Sequence, residues 1–407
     1  MKQITGGVTA AKGFKAWGVH CGVKSKRQEK KDLAIILSER ECTAAGTYTM
    51  NRVKAAPIYV TMDHLEDGTA WGVVANSGNA NACCPMSHEN AEFMSEYAAA
   101  ATGRKASDFV VASTGVIGQT INIAAIEKGI PQVAAGLTDG PEGSDAAANA
   151  IMTTDTVKKE LAYTFTVGGK TVTMGAIAKG SGMIHPNMGT MLCFITTDCA
   201  ITHELLADAL HETVPKTFNR VTVDGDTSTN DMCVVLANGM AENALIEWKD
   251  DDYTVFQKAL RHVCEELARA IAGDGEGASR LITCTVRDAR SEESAERLAK
   301  SVVGSPLVKA AMFGTDANWG RVLCAMGYSK APFRPEYVDV KFASAVGEVL
   351  VCHQGMAVDF DETAAKSILS QDEVIIDVDL HEGEHQATCW GCDLTYDYVK
   401  INGDYRT

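Results

Sequence analysis

Residues 175–198 read Gly175-Ala176-Ile177-Ala178-Lys179-Gly180-Ser181-Gly182-Met183-Ile184-His185-Pro186-Asn187-Met188-Gly189-Thr190-Met191-Leu192-Cys193-Phe194-Ile195-Thr196-Thr197-Asp198. A polar, glycine-rich loop containing a proline runs into a hydrophobic strand, and the junction is a small residue followed by threonine, Gly189-Thr190. That is the local grammar of a self-cleaving N-terminal-nucleophile precursor. A β-hydroxyl attacks the preceding carbonyl if the loop strains that peptide bond, and a small residue leaves access. Cleavage exposes a threonine whose α-amine, with a reference pKa near ~8, serves as the base for its own hydroxyl. A threonine also opens strands for propensity reasons alone, so the rest of the chain must decide between the two readings.

Outward from this junction, Val- and Ile-rich runs predict strands at Leu33–Leu37, Trp71–Ala75, Phe109–Ala112, Met191–Thr196, Met232–Ala237, Leu281–Val286, Tyr337–Phe342 and Val374–Val378. Helical periodicity lies between them at Ala91–Ala101, Leu205–Val214, Thr254–Ile271, Ala295–Val303 and Thr363–Ser370. Phe256, Leu260, Val263, Leu267 and Ile271 recur at three- and four-residue spacing. The chain therefore reads as mixed α/β. Glycine-rich polar stretches, read as loops, end several strands: Ala75–Asn81, Ser113–Gly118, Lys179–Gly182 and Asp224–Asp231. Loops of that composition let backbone N–H groups converge on negative charge.

The 407 residues are 46% hydrophobic and 22% charged, with 37 Lys plus Arg against 53 Asp plus Glu, a formal charge of −16. A polyanion meets a repulsive mean field, so nucleic acid is not an expected partner. The basic cluster Lys24, Lys26, Arg27, Lys30 and Lys31 lacks interleaved aromatics and reads as a solvated loop. Nothing approaches the roughly 18 consecutive apolar residues of a membrane span, and Met1–Gly7 has no apolar leader core, so no membrane association and a cytoplasmic location are expected. The 13 cysteines are odd in number. Most, including Cys193, Cys264, Cys284 and Cys324, stand singly in apolar runs and read as reduced, buried thiols.

Three motif-like strings are set aside. His381-Glu382-Gly383-Glu384-His385 matches a zinc-protease string, but its glycine centre between two strand patterns predicts a loop rather than the required helix. Cys389-Trp390-Gly391-Cys392 has no second pair to complete a four-ligand zinc site, and on a strand its sulfurs face opposite sides. Gly169-Lys170-Thr171 matches the end of a phosphate-binding loop but reads better as a hairpin turn. No metal ligand is assigned.

Nine motifs, in order, cover essentially the whole chain: Gly18-Val19-His20-Cys21-Gly22-Val23-Lys24 with Lys31-Asp32-Leu33-Ala34; Thr49-Met50-Asn51-Arg52-Val53-Lys54-Ala55-Ala56-Pro57; Ala75–Cys83; Ser113–Gly118; Lys179–Asp198; Asp224–Met232; Asp274-Gly275-Glu276-Gly277; Asn318-Trp319-Gly320-Arg321; and Tyr398–Thr407. In this order the sequence resembles the ornithine acetyltransferase, or glutamate N-acetyltransferase (ArgJ), family of arginine biosynthesis. The resemblance implies an α/β fold, a layered αββα sandwich, acting as an N-terminal-nucleophile enzyme. It implies autoproteolysis between Gly189 and Thr190 into an α-chain (1–189) and a β-chain (190–407) that stay associated, as a heterotetramer of two α and two β chains. Thr190 is then the nucleophile, Thr114 and Gly115 the oxyanion hole, and Thr153 or Thr154, Lys179, Thr190, Glu276, Asn402 and Thr407 the substrate-binding residues. The implied reaction is ping-pong transfer of acetyl from N2-acetylornithine to glutamate, without a cofactor; bifunctional members also use acetyl-CoA as co-substrate.

A cation such as Lys179 and an anion such as Glu276 suit amino-acid substrates, although each also has a bland reading, as a surface lysine and as a capping or solvent-facing carboxylate. Three departures from the family pattern stand out: Gly189 where alanine is usual, Cys84-Pro85 where Thr-Gly is usual, and Gly403 where alanine is usual. Alternatives are a related N-terminal-nucleophile amidase or aminopeptidase, a secondary-metabolism acyltransferase, and a non-catalytic binder or metal protein on the same scaffold.

Overall fold

The computed structural model describes residues 1–24, 30–185 and 191–403. The cleavage junction Gly189-Thr190, the terminal Thr407, and Lys26 and Arg27 of the basic cluster lie outside the described residues.

The chain runs β1 (Lys2–Ile4), β2 (Phe14–Val19), β3 (Leu33–Tyr48), α1 (Ala56–His64), β4 (Thr69–Asn79), α2 (Ser87–Thr102), β5 (Phe109–Val116), α3 (Ile123–Gly136), α4 (Pro141–Ile151), β6 (Lys159–Val167), β7 (Lys170–Lys179), β8 (Leu192–Thr197), α5 (His203–Thr213), β9 (Val221–Thr222), β10 (Met232–Ala237) and α6 (Asp251–Gly273). It continues through β11 (Leu281–Ala289), α7 (Glu292–Gly304), α8 (Pro306–Phe313), α9 (Trp319–Gly327), β12 (Asp339–Ser344), β13 (Gly347–His353), β14 (Met356–Ala357), α10 (Glu362–Leu369), β15 (Glu373–Asp379), β16 (His385–Cys392) and α11 (Tyr396–Gly403).

The long strand β3 creates the layering. Its first half pairs with β2 and β4, its second half with β10, and the register shifts between Leu37 and Cys42. A strand bent at such an irregularity can serve two layers of one sheet. One layer is β2, β3, β4 and β5; the other is β1, β6, β7, β8 and β10. Because side chains alternate across a strand, each layer has two apolar faces. Ile36, Val73 and Val110 meet Ile177, Phe194 and Val234 in a core between the layers. Ile35, Val74 and Val111 pack outward on Met94, Ile126 and Ile130 of α2 and α3. On the far side Met174, Ile195 and Val235 pack on Leu206, Phe256 and Leu260 of α5 and α6. The result is the αββα sandwich.

The five apolar residues of α6 are all buried, and Asp250 caps it by accepting from the Tyr253 N–H at 3.0 Å. Each such burial contributes roughly 1.5–3 kcal/mol. A second sheet, β14-β13-β12-β15-β11-β16-β9, carries α7 to α10 on one face, where Phe342 and Ile376 meet Leu298, Val302 and Ile368. Trp390, Cys392 and Val221 join the α6 core, so this helix links the two sheets.

Every sequence-predicted strand and helix falls on an observed element, overhanging it by no more than a residue or two, but several elements run further than predicted, β3 by eleven residues to Tyr48. Gly168 and Gly169, with φ of +53° and +77°, turn the β6–β7 hairpin. The zinc-protease string leaves β15 as a non-helical loop, with His381 Nε2 3.1 Å from Asp339 Oδ2. Cys389 and Cys392 point into different cores.

Four expectations are corrected. Ala75–Asn79 and Ser113–Val116 are strand, because β4 and β5 keep their parallel pairing through these polar residues. Cys324 is exposed, since α9 turns Val322, Ala325 and Met326 inward instead. Lys24 is not solvated: its ammonium donates to the carbonyls of Lys31 at 3.0 Å and Met152 at 2.7 Å, and burial lowers its pKa to about 8. Lys31 is half-buried, with its ammonium over the Trp17 ring.

Candidate active site

The ends of β5 and β7, the loops after α4, β7 and α6, the loop before β10, and α11 surround a cleft of about 130 Å³ open to solvent. Thr114, Gly115, Thr153, Thr154, Lys179, Glu276 and Asn402 all line it. A narrower recess shares Thr114 and Lys179 with the cleft and is walled by Met191, Leu192 and Asp231. Met191 is covalently next to the proposed nucleophile.

Thr114 and Gly115 stand where the β4–β5 ladder becomes irregular, at Gly78 and Asn79. Gly115 has φ +135°, and a Cβ there would collide with the Gly78 backbone and lie 2.5 Å from the Asn79 nitrogen. Only glycine accommodates both the conformation and the approach. The ladder is held by buried amides: Ser113 Oγ donates to Asn76 Oδ1 at 2.6 Å, and Asn230 Nδ2 donates to the carbonyls of Ala80 and Ser113 at 2.6 and 2.9 Å.

Three site loops are tied at one buried ion-pair hub. Lys159 Nζ lies 2.7 Å from Asp155 Oδ1 and 2.5 Å from Asp274 Oδ2. Asp155 also accepts from the Thr153 N–H at 3.1 Å and the Gly180 N–H at 2.8 Å. Asp274 accepts from the Thr156 backbone and hydroxyl, and its carbonyl takes the Ser181 hydroxyl at 2.7 Å. Burial opposes ionisation of Asp155, but Lys159 and Lys179 outweigh it and hold the carboxyl at about 2. Thr153, Lys179 and Glu276 are thereby fixed relative to one another.

Glu276, 7% exposed, accepts from Asn402 Nδ2 at 2.7 Å. A Cβ at Gly182 would collide with the Glu276 carboxyl, so glycine is what lets the two loops close. On the opposite wall, Thr49 Oγ1 donates to the Ser228 carbonyl at 2.8 Å and Asn51 Nδ2 to the Thr227 carbonyl at 2.8 Å. The Thr49–Pro57 motif thus braces the Ser228–Asn230 wall.

Neither bland reading holds. Lys179 is 8% exposed, and its ammonium donates to Thr114 Oγ1 at 3.1 Å. Burial lowers its pKa while Asp155, Asp231 and Glu276 raise it. Asp231, which sequence reasoning missed, is buried beside it, its carboxyl pushed well above the usual range by desolvation. Its place at the end of a glycine- and threonine-rich loop was a signal, but nothing local marked which of Asp224, Asp226 and Asp231 faces the cleft. Thr153 and Thr154 both line the wall, so the geometry retains both. The Asn318–Arg321 motif lies on α9 in the second lobe: Asn318 caps the helix by accepting from the Arg321 N–H at 3.2 Å, and Arg321 Nη1 donates to the Leu307 carbonyl at 2.9 Å.

The αββα sandwich with this strand-end cleft is the layered architecture that the family resemblance implies. The ArgJ family profile matches residues 15–407, and the chain belongs to that family. The arginine biosynthesis bifunctional protein ArgJ 1 of Clostridium acetobutylicum is 51% identical over 395 residues, covering 97% of this chain and 96% of the relative. The bifunctional protein ArgJ of Symbiobacterium thermophilum is 51% identical over 408 residues, covering 100% of each. The crystal structure of the bifunctional protein ArgJ from Bacillus halodurans matches with 48% identity and a TM-score of 0.50, covering 52% of this chain and 98% of that chain.

Proposed function

We propose that this enzyme transfers acetyl from N2-acetylornithine to glutamate in arginine biosynthesis, and that it also acetylates glutamate from acetyl-CoA. The carrying observation is convergence: Thr114, Gly115, Thr153, Thr154, Lys179, Glu276 and Asn402, drawn from separate segments of the chain, line one cleft. Acceptance of both donors is supported by the relatives' designation as bifunctional.

In this reading the chain cleaves itself at Gly189-Thr190. Thr190 Oγ attacks the acetyl carbonyl carbon while its proton passes to the new α-amine. The oxyanion accepts from the Thr114 hydroxyl and the Gly115 N–H, donors of a kind worth ~3 kcal/mol each. Collapse breaks the amide C–N bond, and the proton leaves with the ornithine amine. The glutamate amine then attacks the acetyl-threonine ester and returns the enzyme to its starting state. No cofactor enters; acetyl-CoA is a co-substrate. Lys179 suits a substrate carboxylate and Glu276 with Asn402 a substrate amine, with Thr153 or Thr154 and Thr407 completing the contacts.

Two observations support cleavage into associated chains. The matched part of the Bacillus halodurans chain corresponds to 52% of 407 residues, about 212, against 189 and 218 for the proposed fragments. Strands from both sides of the junction interleave, since β8 pairs with β7 and β10 pairs with β3. The fragments would share a sheet, and two copies of each make the proposed heterotetramer. A cytoplasmic location accompanies this role; no described helix is long and apolar enough to cross a membrane. A Cβ at Gly403 would meet nothing within 4 Å, so its departure from alanine leaves the cleft walls in place.

The test measures acetyl transfer to glutamate from each donor separately, with mass spectrometry of wild type and Thr190→Ala. Two fragments, an acetyl adduct on the new terminus and loss of both in the variant are expected. Equal turnover by the variant overturns the nucleophile, and release of free acetate without amine-dependent exchange favours the amidase reading.

A further inference from the structure

Lys179 Nζ donates to Thr114 Oγ1 at 3.1 Å, and among the described residues this is the hydrogen bond its ammonium makes. An ammonium can only donate, so the threonine oxygen must accept and its own proton is committed elsewhere. Both residues line the cleft and both are 8% exposed, which leaves little bulk water to compete for that oxygen.

We propose that Lys179 acts through Thr114 as a positioning residue: its ammonium fixes the hydroxyl as a donor toward the cleft and places a positive charge one hydrogen bond behind the oxyanion. This rests on the assignment of Thr114 to the oxyanion hole and is an alternative to a direct lysine contact with a substrate carboxylate. A hydroxyl that accepts from a cation is polarised into a stronger donor, and the effect is larger in a site shielded from water. No proton leaves either residue. As the acetyl C=O becomes C–O⁻, the Thr114 O–H shortens its hydrogen bond to that oxygen, while the Lys179 N–H stays on the opposite side of the hydroxyl.

The surroundings suit such a device. The next residue, Gly180, is pinned by its N–H to Asp155 Oδ1 at 2.8 Å, so the root of the lysine side chain is anchored to the ion-pair hub. Asp231 lines the recess beside Lys179, and its Oδ2 makes no hydrogen bond among the described residues. The ammonium is thus flanked by carboxyls while its one observed hydrogen bond goes to the hydroxyl.

Steady-state transfer from N2-acetylornithine to glutamate, normalised to cleaved enzyme, separates the two roles in Lys179→Met, Thr114→Val and the double variant. Expected for Lys179→Met is a kcat lowered about 10- to 100-fold, with KM for both substrates within about threefold. The double variant should be no more than about threefold worse than Thr114→Val, because the lysine acts through the missing hydroxyl. A tenfold rise in KM with kcat retained, or losses that multiply in the double variant, overturns the proposal. Should Lys179→Met fail to fold, Lys179→Arg with and without Thr114→Val carries the same comparison of coupling. Wild type inactive with both donors overturns the functional reading and this inference together, whereas an active wild type with a KM-only defect in Lys179→Met sinks this inference alone.

Discussion

Asn402 Nδ2 donates to Glu276 Oε2 at 2.7 Å, joining α11 to the loop after α6 across 126 residues of sequence. The carboxylate is buried and the amide sits on an exposed helix, so the contact orients the acid without building the core. Asn402→Ala should raise KM for the amino-acid substrates about tenfold, the equivalent of about 1.4 kcal/mol, and leave the melting temperature nearly unchanged. Steady-state kinetics and a thermal melt on the same preparation check this; an unchanged KM would remove Asn402 from the site.

Lys159 is the only cation that the observed hydrogen bonds place on both Asp155 and Asp274 among the described residues. Removing one member of a buried pair leaves unpaired charge behind, at a cost of about 3–5 kcal/mol. Lys159→Met should lower the urea midpoint accordingly, and adding Asp155→Asn and Asp274→Asn should recover part of it. A loss below about 1 kcal/mol for the single variant contradicts the hub.

Gly115→Ala sets a Cβ against the Gly78 backbone at φ +135°. Strain of this kind costs about 1–3 kcal/mol where the surroundings hold the backbone in place. The expected result is reduced stability together with a fall in kcat of at least tenfold, read by denaturation and by single-turnover acetyl transfer. Wild-type kcat in this variant would show that the backbone N–H is not needed there.

His185, at the end of the described stretch before the junction, has its pKa lowered to about 4 by burial and by Lys300, with its Nδ1 2.9 Å from Thr222 Oγ1. The unfolded chain takes up the proton first, near pH 6.5. Stability is therefore full above that pH and falls as pH drops from about 6.5 toward 4, by roughly 2 kcal/mol after allowance for solvent screening. His185→Gln should flatten this part of the stability curve. Denaturant titrations at pH 7 and pH 4.5 decide, and an equal slope in both proteins refutes the assignment.

Strong periodicity made the core elements legible: the five apolar residues of α6 and the apolar run of β10 are buried as their spacing requires. Shorter or atypical elements were not legible. Helix α3, over which no element is predicted, contains Gly129 and Pro131, both poor helix formers; in the fold Gly129 packs closely on Cys21 and Leu33. The polar ends of β4 and β5 read as loops because their hydrogen-bonding partners are each other's backbones, which no local window displays. Lys24 read as solvated because nothing near it in sequence announces the Met152 carbonyl that it reaches.

Sequence alone supplied the ordered motifs and, through their resemblance to the ArgJ family, the expected chemistry and its candidate residues: a small residue before a strand-opening threonine, the Thr114-Gly115 pair, and a lysine and a glutamate in glycine-rich loops. Residue identities and their order along the chain carry that expectation, because a family pattern is a linear arrangement of residue types that needs no knowledge of contacts. Only the tertiary structure decided that Lys179 reaches Thr114, that Asp231 lies beside it, and that one buried hub holds three site loops. Those relations depend on burial and on contacts between segments distant in sequence, 65 residues apart for Lys179 and Thr114 and 115 for Lys159 and Asp274, where the two layers of one bent sheet bring strand ends together.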